Sequence, residues 1–175
     1  SKGSMTFNSE TLGEVDLVKV ELDDMRSLRG NEISMIFQEP MTSLNPVHSV
    51  GRQIGEVLRI HRPGMGSEER RAATIDLLRQ VGIANPEQRH DQFPHQLSGG
   101  MKQRIVIAMA LAGEPDLIVA DEPTTALDVT VQAQIIHILT ALVRERGLGL
   151  LLITHDMGVV AQACDLVTVL YAGRV

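Results

Sequence analysis

Between Leu117 and Tyr171, short apolar runs alternate with a helical repeat, and this pattern restricts the possible folds more than any other. LIVA (Leu117 to Ala120) and LGLLLIT (Leu148 to Thr154) are apolar at successive positions, as strands buried on both faces are. Between them Val131, Ile135, Ile138, Leu139 and Leu142 recur at helical spacing, which predicts a helix over 129–146. Gly158 to Ala163 reads as a short helix and Leu166 to Tyr171 as a third strand. Strand, helix, strand, helix, strand at this spacing implies an α/β core with a parallel sheet. A length of 175 residues with 43% hydrophobic and 22% charged residues suits one globular domain carrying at most a small inserted subdomain.

Upstream, residues 1–20 suggest short strands and turns, and ISMIF (Ile33 to Phe37) is a strand-like run ending in Gln38, Glu39 and Pro40. MTSLNP (Met41 to Pro46) is loop chemistry. Residues 47–97 then read as mainly helical. Val50, Ile54, Val57, Leu58 and His61 share a face, Arg62 to Gly66 breaks the pattern, and Ser67 with Glu68 and Glu69 reads as an N-cap with an acidic first turn. That second helix runs to about Val81, ahead of Gly82, and a polar, turn-rich stretch follows. IVIAMALA (Ile105 to Ala112) is apolar on every face, as a buried helix is.

Ligands of open α/β sheets sit beyond the carboxyl ends of the strands. Three apolar runs here end in polar groups at that edge: Gln38, then Asp121 and Glu122, then His155. Asp121 suits Mg²⁺, and Glu122 suits orienting or deprotonating a water. His155 suits a phosphate oxygen, and Gln38, with both donor and acceptor, suits bridging metal, water and a loop. QLSGGMKQR (Gln96 to Arg104) adds Lys102 and Arg104 where a helix begins, which is unfavourable unless an anion sits there. Ser98, Gly99 and Gly100 offer a hydroxyl and close-approaching N–H groups, so the anion is expected to be a phosphoryl group.

These stretches, in this order, resemble the motifs of ABC ATPases. QLSGGMKQR is similar to the signature motif, LIVADEP to the Walker B strand with its glutamate, and ALD (Ala126 to Asp128) to the D-loop. THD with His155 resembles the switch histidine, and MIFQEP with Gln38 the Q-loop. The wording further resembles the ATPase subunits of bacterial dipeptide, oligopeptide and nickel importers. The resemblance implies a P-loop NTPase core with a parallel sheet and an inserted helical subdomain. Residues 1–46 and 98–175 would belong to the core and 47–97 to the subdomain. It implies Glu122, His155 and Gln38 as catalytic, Asp121 and Gln38 at Mg²⁺, and Ser98, Gly99, Gly100, Gln103 and Asp128 at ATP.

The family's Walker A loop, G-x-x-x-x-G-K-[ST], is absent: the lysines are Lys2, Lys19 and Lys102, and none follows a glycine in that context. The chain is therefore expected to be an internal fragment, cut at both ends and inactive alone. In the family two ATPase subunits pair head to tail, so Ser98 to Gly100 would face a nucleotide held by the second subunit. The implied partners are that subunit, integral-membrane permease subunits and, indirectly, a solute-binding protein, at the cytoplasmic face of the membrane. An ABC ATPase not attached to a membrane, and a non-catalytic interaction module, are the competing expectations. A net charge of −6 and four aromatic residues disfavour nucleic acid. No apolar run approaches the ~18 residues that span a bilayer. Cys164, the single cysteine, is expected to be a small buried residue.

Overall fold

The computed structural model describes residues 3–38, 43–125, 127–172 and 174. The expected loop at Met41 and Thr42, the Q-loop residues Glu39 and Pro40, and Ala126 of the ALD stretch lie outside the described residues. The chain opens with a hairpin, β1 (Thr6–Ser9) paired antiparallel with β2 (Gly13–Asp16). A short helix α1 (Leu22–Leu28) follows, then β3 (Ile33–Ile36). Glu32, just ahead of β3, ties the hairpin to the sheet. Its buried carboxylate accepts from the Ser9 hydroxyl at 2.9 Å, the Thr11 hydroxyl at 2.8 Å and the Glu10 N–H at 3.0 Å. Burial raises the Glu32 pKa, but the Thr11 and Ser9 hydroxyls and the Glu10 and Thr11 N–H groups outweigh it and hold the carboxyl below its ordinary value.

Helices α2 (Val50–His61) and α3 (Ser67–Gln80) form where the periodicity places them. Ser49 caps α2, its hydroxyl accepting from the Arg52 N–H at 3.3 Å, and Val50, Ile54 and Leu58 are buried along one face. Gly66, rather than the expected Ser67, is the N-cap of α3. Its N–H is met by Glu69 Oε2 at 3.4 Å, so Glu69 does the capping and Ser67 is the first helical residue. The turn-rich stretch holds a short helix α4 (Pro86–His90) and a 3₁₀ turn at Pro94–Gln96.

Helix α5 (Gly99–Ala112) is the centre of the molecule, buried at Ile105, Val106, Ile107, Ala108 and Leu111. It packs on β3, α2, α3 and α6 (Val129–Arg146). Between α5 and α6 runs β4 (Leu117–Asp121), and after α6 come β5 (Gly149–Ile153) and α7 (Met157–Ala163). The three strands are parallel in the order β3-β4-β5, with Met35 beside Val119 and Val119 beside Leu151.

Three expectations need correction. β5 is not buried on both faces: Leu150 and Leu152 pack on the core, whereas Leu151 is 51% and Ile153 46% exposed. They share the outward face with Met35, which is 44% exposed. Leu166 to Tyr171 form no strand. Leu166, Val169 and Leu170 stand exposed, and the stretch makes a single isolated bridge, Tyr171 to Arg174, because no described strand runs alongside to supply a ladder. Cys164 is half-buried, at the C-cap of α7.

Candidate active site

Because β3, β4 and β5 are adjacent and parallel, their carboxyl ends open on one edge, and the polar residues that follow them converge there. Glu122 is the hub. Gln38 Nε2 donates to Glu122 Oε2 at 2.8 Å, and the Thr125 hydroxyl donates to the same oxygen at 2.8 Å. His155 Nδ1 lies 2.9 Å from Glu122 Oε1, so the tautomer with a proton on Nδ1 donates to the carboxylate and leaves Nε2 toward solvent. The hydrogen bond from His155, then that from Thr125, and more weakly that from Gln38, hold the Glu122 carboxyl below the usual carboxylate range.

The backbone at Glu122 has φ +44°, a left-handed conformation that residues with a Cβ seldom adopt. It is held by the Glu122 N–H, which donates to the Ile153 carbonyl at 2.9 Å, and by the Thr125 N–H on the Glu122 carbonyl at 3.1 Å. Strain of this kind persists where the surroundings over-determine it, and it turns the carboxylate out of the strand toward Gln38 and His155. Asp156 anchors the neighbouring corner: Oδ2 accepts from Gln132 Nε2 at 2.8 Å and Oδ1 from the Gly158 N–H at 2.8 Å, at the start of α7. The Gln132 bond first, then the Gly158 and Val159 N–H groups, keep the Asp156 carboxyl low. A cleft of about 210 Å³ runs past Glu122, Thr125, Gln132, His155 and Asp156.

Asp121 closes β4 directly ahead of Glu122 and is half-buried. Among the described residues no three carboxylate, histidine or cysteine groups gather as a metal cage. The donor set fits an ion whose shell comes mostly from water and phosphate, as that of Mg²⁺ does: one carboxylate, Asp121, and the Gln38 carbonyl oxygen, since the Gln38 amide nitrogen is the atom spent on Glu122.

The structure gives local work to several residues expected at the nucleotide. Ser98 is the N-cap of α5, its hydroxyl accepting from the Met101 N–H at 3.3 Å. Gly99 and Gly100 open that helix, and a Cβ on Gly100 would stand 2.6 Å from Val131 Cγ1, so Gly100 is what lets α5 approach α6. Asp128 caps α6, accepting from the Val131 N–H at 3.0 Å. Gln103 lies on the inward face of α5, fully buried, with both side-chain amide atoms unpartnered among the described residues, and does not reach the surface. The expectation that Arg104 adds charge for an anion at the start of α5 is corrected. Its guanidinium turns away, donating to the Val81 carbonyl at 2.9 Å and to Gln134 Oε1 at 3.0 Å, and so satisfies the C-terminal end of α3. Sequence reasoning does not pick out Thr125, Gln132 or Asp156 as parts of the site: Thr125 and Asp156 are signalled only by lying close to Glu122 and His155 in the chain, and Gln132 is brought there only by the fold.

A parallel sheet whose strand ends deliver a glutamine, a paired acid and a histidine to one edge, beside a glycine-opened helix, is the arrangement of an ATP-binding cassette. The chain belongs to the ABC transporter family, whose model matches residues 2–125. It is 52% identical, over 99% of its length, to a putative peptide import ATP-binding protein of Brucella ovis, of which it covers 51%. It is 54% identical, over 91% of its length, to the dipeptide transport ATP-binding protein DppD of Escherichia coli, of which it covers 49%. The chain thus spans about half the length of these relatives. Among solved structures it is similar to the dimeric ATP-binding cassette MJ0796 in a post-hydrolysis state bound to ADP and Pi. The TM-score is 0.72 at 32% identity, covering 83% of this chain and 61% of that one.

Proposed function

We propose that this chain is part of the ATP-binding and ATP-hydrolysing subunit of an ABC importer for peptides. The observation that carries the reading is the Glu122 carboxylate, joined by Gln38, Thr125 and His155 across three parallel strand ends. The 52–54% identity to peptide and dipeptide import proteins supports the substrate class. In this reading 1–46 and 98–175 form the ATPase core and 47–97 its helical subdomain.

Glu122 orients the attacking water. A carboxyl held below its usual pKa is a weak base, so its work is to align and polarise the water through its free lone pairs. His155, with Nε2 outward, meets the γ-phosphate and fixes the Glu122 carboxylate through Nδ1. Asp121 and the Gln38 carbonyl would hold Mg²⁺, which supplies charge neutralisation to the phosphates when bound. Ser98 to Gly100 face a nucleotide on a second ATPase subunit paired head to tail. Gln38 joins the sheet to the helical segment, so a change at Glu122 is passed to α2 and on to permease subunits in the membrane, which receive solute from a binding protein. No helix among the described residues is long and apolar enough to cross a membrane, and attachment at the cytoplasmic face through the permease accords with that. The 175 residues contain no glycine–lysine phosphate loop, so as they stand they hold one wall of the nucleotide site and do not turn ATP over.

The test is uptake of a labelled dipeptide by vesicles carrying the full-length protein with its permease. ATP-dependent uptake that Glu122→Gln abolishes is expected. Uptake that proceeds unchanged with that variant, or an ATPase indifferent to the permease, contradicts the reading.

A further inference from the structure

A second cavity lies away from Glu122. It is a groove of about 570 Å³ between α2 and α3, with His90 of α4 on its wall. Its lining is cationic in a chain of net charge −6: Arg52 and Arg59 from α2, Arg70 and Arg71 from α3. One carboxylate, Glu56, shares the lining and stands 3.6 Å from Arg59. Arg71 reaches His90 Nδ1 at 2.8 Å and Asp91 at 3.6 Å, and Arg70 donates to the Met65 carbonyl. These contacts engage single nitrogens, and each guanidinium carries five N–H donors, so most of the donor capacity is left for a ligand.

A second observation concerns Thr74. It lines the same groove, is 1% exposed, and its hydroxyl has no hydrogen-bond partner among the described residues. Gly55 lies across from it. A Cβ there would stand 3.8 Å from Thr74 Oγ1, at ordinary van der Waals contact. A buried hydroxyl without a partner costs free energy, which a ligand oxygen would recover. Arginines from two helices lining one groove, with an unsatisfied hydroxyl in the same lining, match an oxyanion with several acceptor oxygens, and a phosphate group offers more of them than a carboxylate.

We propose that the groove between α2 and α3 binds a soluble phosphate-bearing anion, with Arg52 and Arg70 as charge partners and Thr74 as the donor at its floor. Binding there would bridge the two helices of the segment that follows Gln38.

The experiment titrates the ¹⁵N-labelled chain with sodium pyrophosphate against sodium chloride at matched ionic strength, following backbone shifts and heats of binding. One saturable site is expected, with shifts gathered on α2 and α3. Arg52→Gln removes an exposed side chain without touching the core and should weaken binding roughly tenfold. Thr74→Val keeps shape, should weaken binding by a similar factor, and should raise the unfolding midpoint because the unsatisfied hydroxyl is gone. That opposite pair of effects is not what a merely structural threonine gives. The proposal is overturned by shifts that chloride reproduces, by shifts gathered at Ser98 to Gly100 instead, or by undiminished binding in Arg52→Gln. It is overturned equally if pyrophosphate shows no saturable binding and only an acidic permease peptide occupies the groove.

Discussion

Gln38 and Glu122 stand 84 positions apart in the chain and are joined by a 2.8 Å hydrogen bond from the Gln38 amide to Glu122 Oε2. The bond links the residue just after β3 to the proposed water-orienting carboxylate at the end of β4. The Thr125 hydroxyl shares the same acceptor oxygen. Any donor that arrives at Glu122 Oε2 must compete with both, whereas Oε1 accepts from His155 and keeps a free lone pair.

Thr125→Val tests that sharing. The hydroxyl helps to depress the Glu122 pKa, so its loss raises that pKa. If the ionised carboxylate is the active form, the acid limb of the pH–rate profile of the full-length ATPase moves to higher pH, while turnover at neutral pH, where the carboxylate is ionised with or without Thr125, changes little. A limb that stays in place, or moves to lower pH, contradicts the role given to Thr125.

Glu32 sets an acid limit on folding. Its folded pKa is lowered, so its contribution is complete above the unfolded value of about 4.3 and is lost as pH falls through the folded value. Glu32→Gln turns one acceptor oxygen into a donor facing donors. It should cost about 2 kcal/mol at neutral pH and flatten the loss of stability on acidification. Urea unfolding at several pH values measures both. An unchanged acid limb removes Glu32 from this role.

How far the sequence reveals this site follows from its physics. An apolar run ending in a polar residue announces a strand and its carboxyl edge together, so Gln38, Asp121, Glu122 and His155 are readable from the sequence as residues of that edge. Ser98 and Asp128 were harder to read, because serine and aspartate serve equally as helix caps and as ligands, and only geometry shows the caps. Arg104 looked like an anion partner from its position, yet its long side chain reaches back to Val81. The helix α1, rich in charge and weakly periodic, gave no signal. Leu166 to Tyr171 has strand composition but no neighbouring ladder, and pairing is a tertiary fact that composition cannot carry.

Exposed positions of the helical segment test the route to the membrane. Val47 and Ile60 are 71% and 58% exposed apolar residues in the stretch from Thr42 to His61. Cysteines there, in the full-length protein, should cross-link to a cytoplasmic loop of the permease. Cross-links that form only along Val131 to Arg146 contradict the assignment.

For the chain by itself, calorimetry with Mg–ATP should give a dissociation constant of millimolar order or weaker. The phosphate cradle it lacks supplies several charge-assisted hydrogen bonds, each worth ~1.5–3 kcal/mol. A micromolar constant contradicts this and requires a phosphate-binding loop supplied by other residues.

Phosphate release by the full-length protein carrying Glu122→Gln is the most direct measurement of all. The substitution keeps the shape of the side chain and removes its charge, so the water loses its orienting carboxylate while the nucleotide keeps its contacts. The account predicts hydrolysis slowed by ~10²–10⁴ with ATP binding retained. Turnover near that of the unaltered protein, with binding intact, would contradict it.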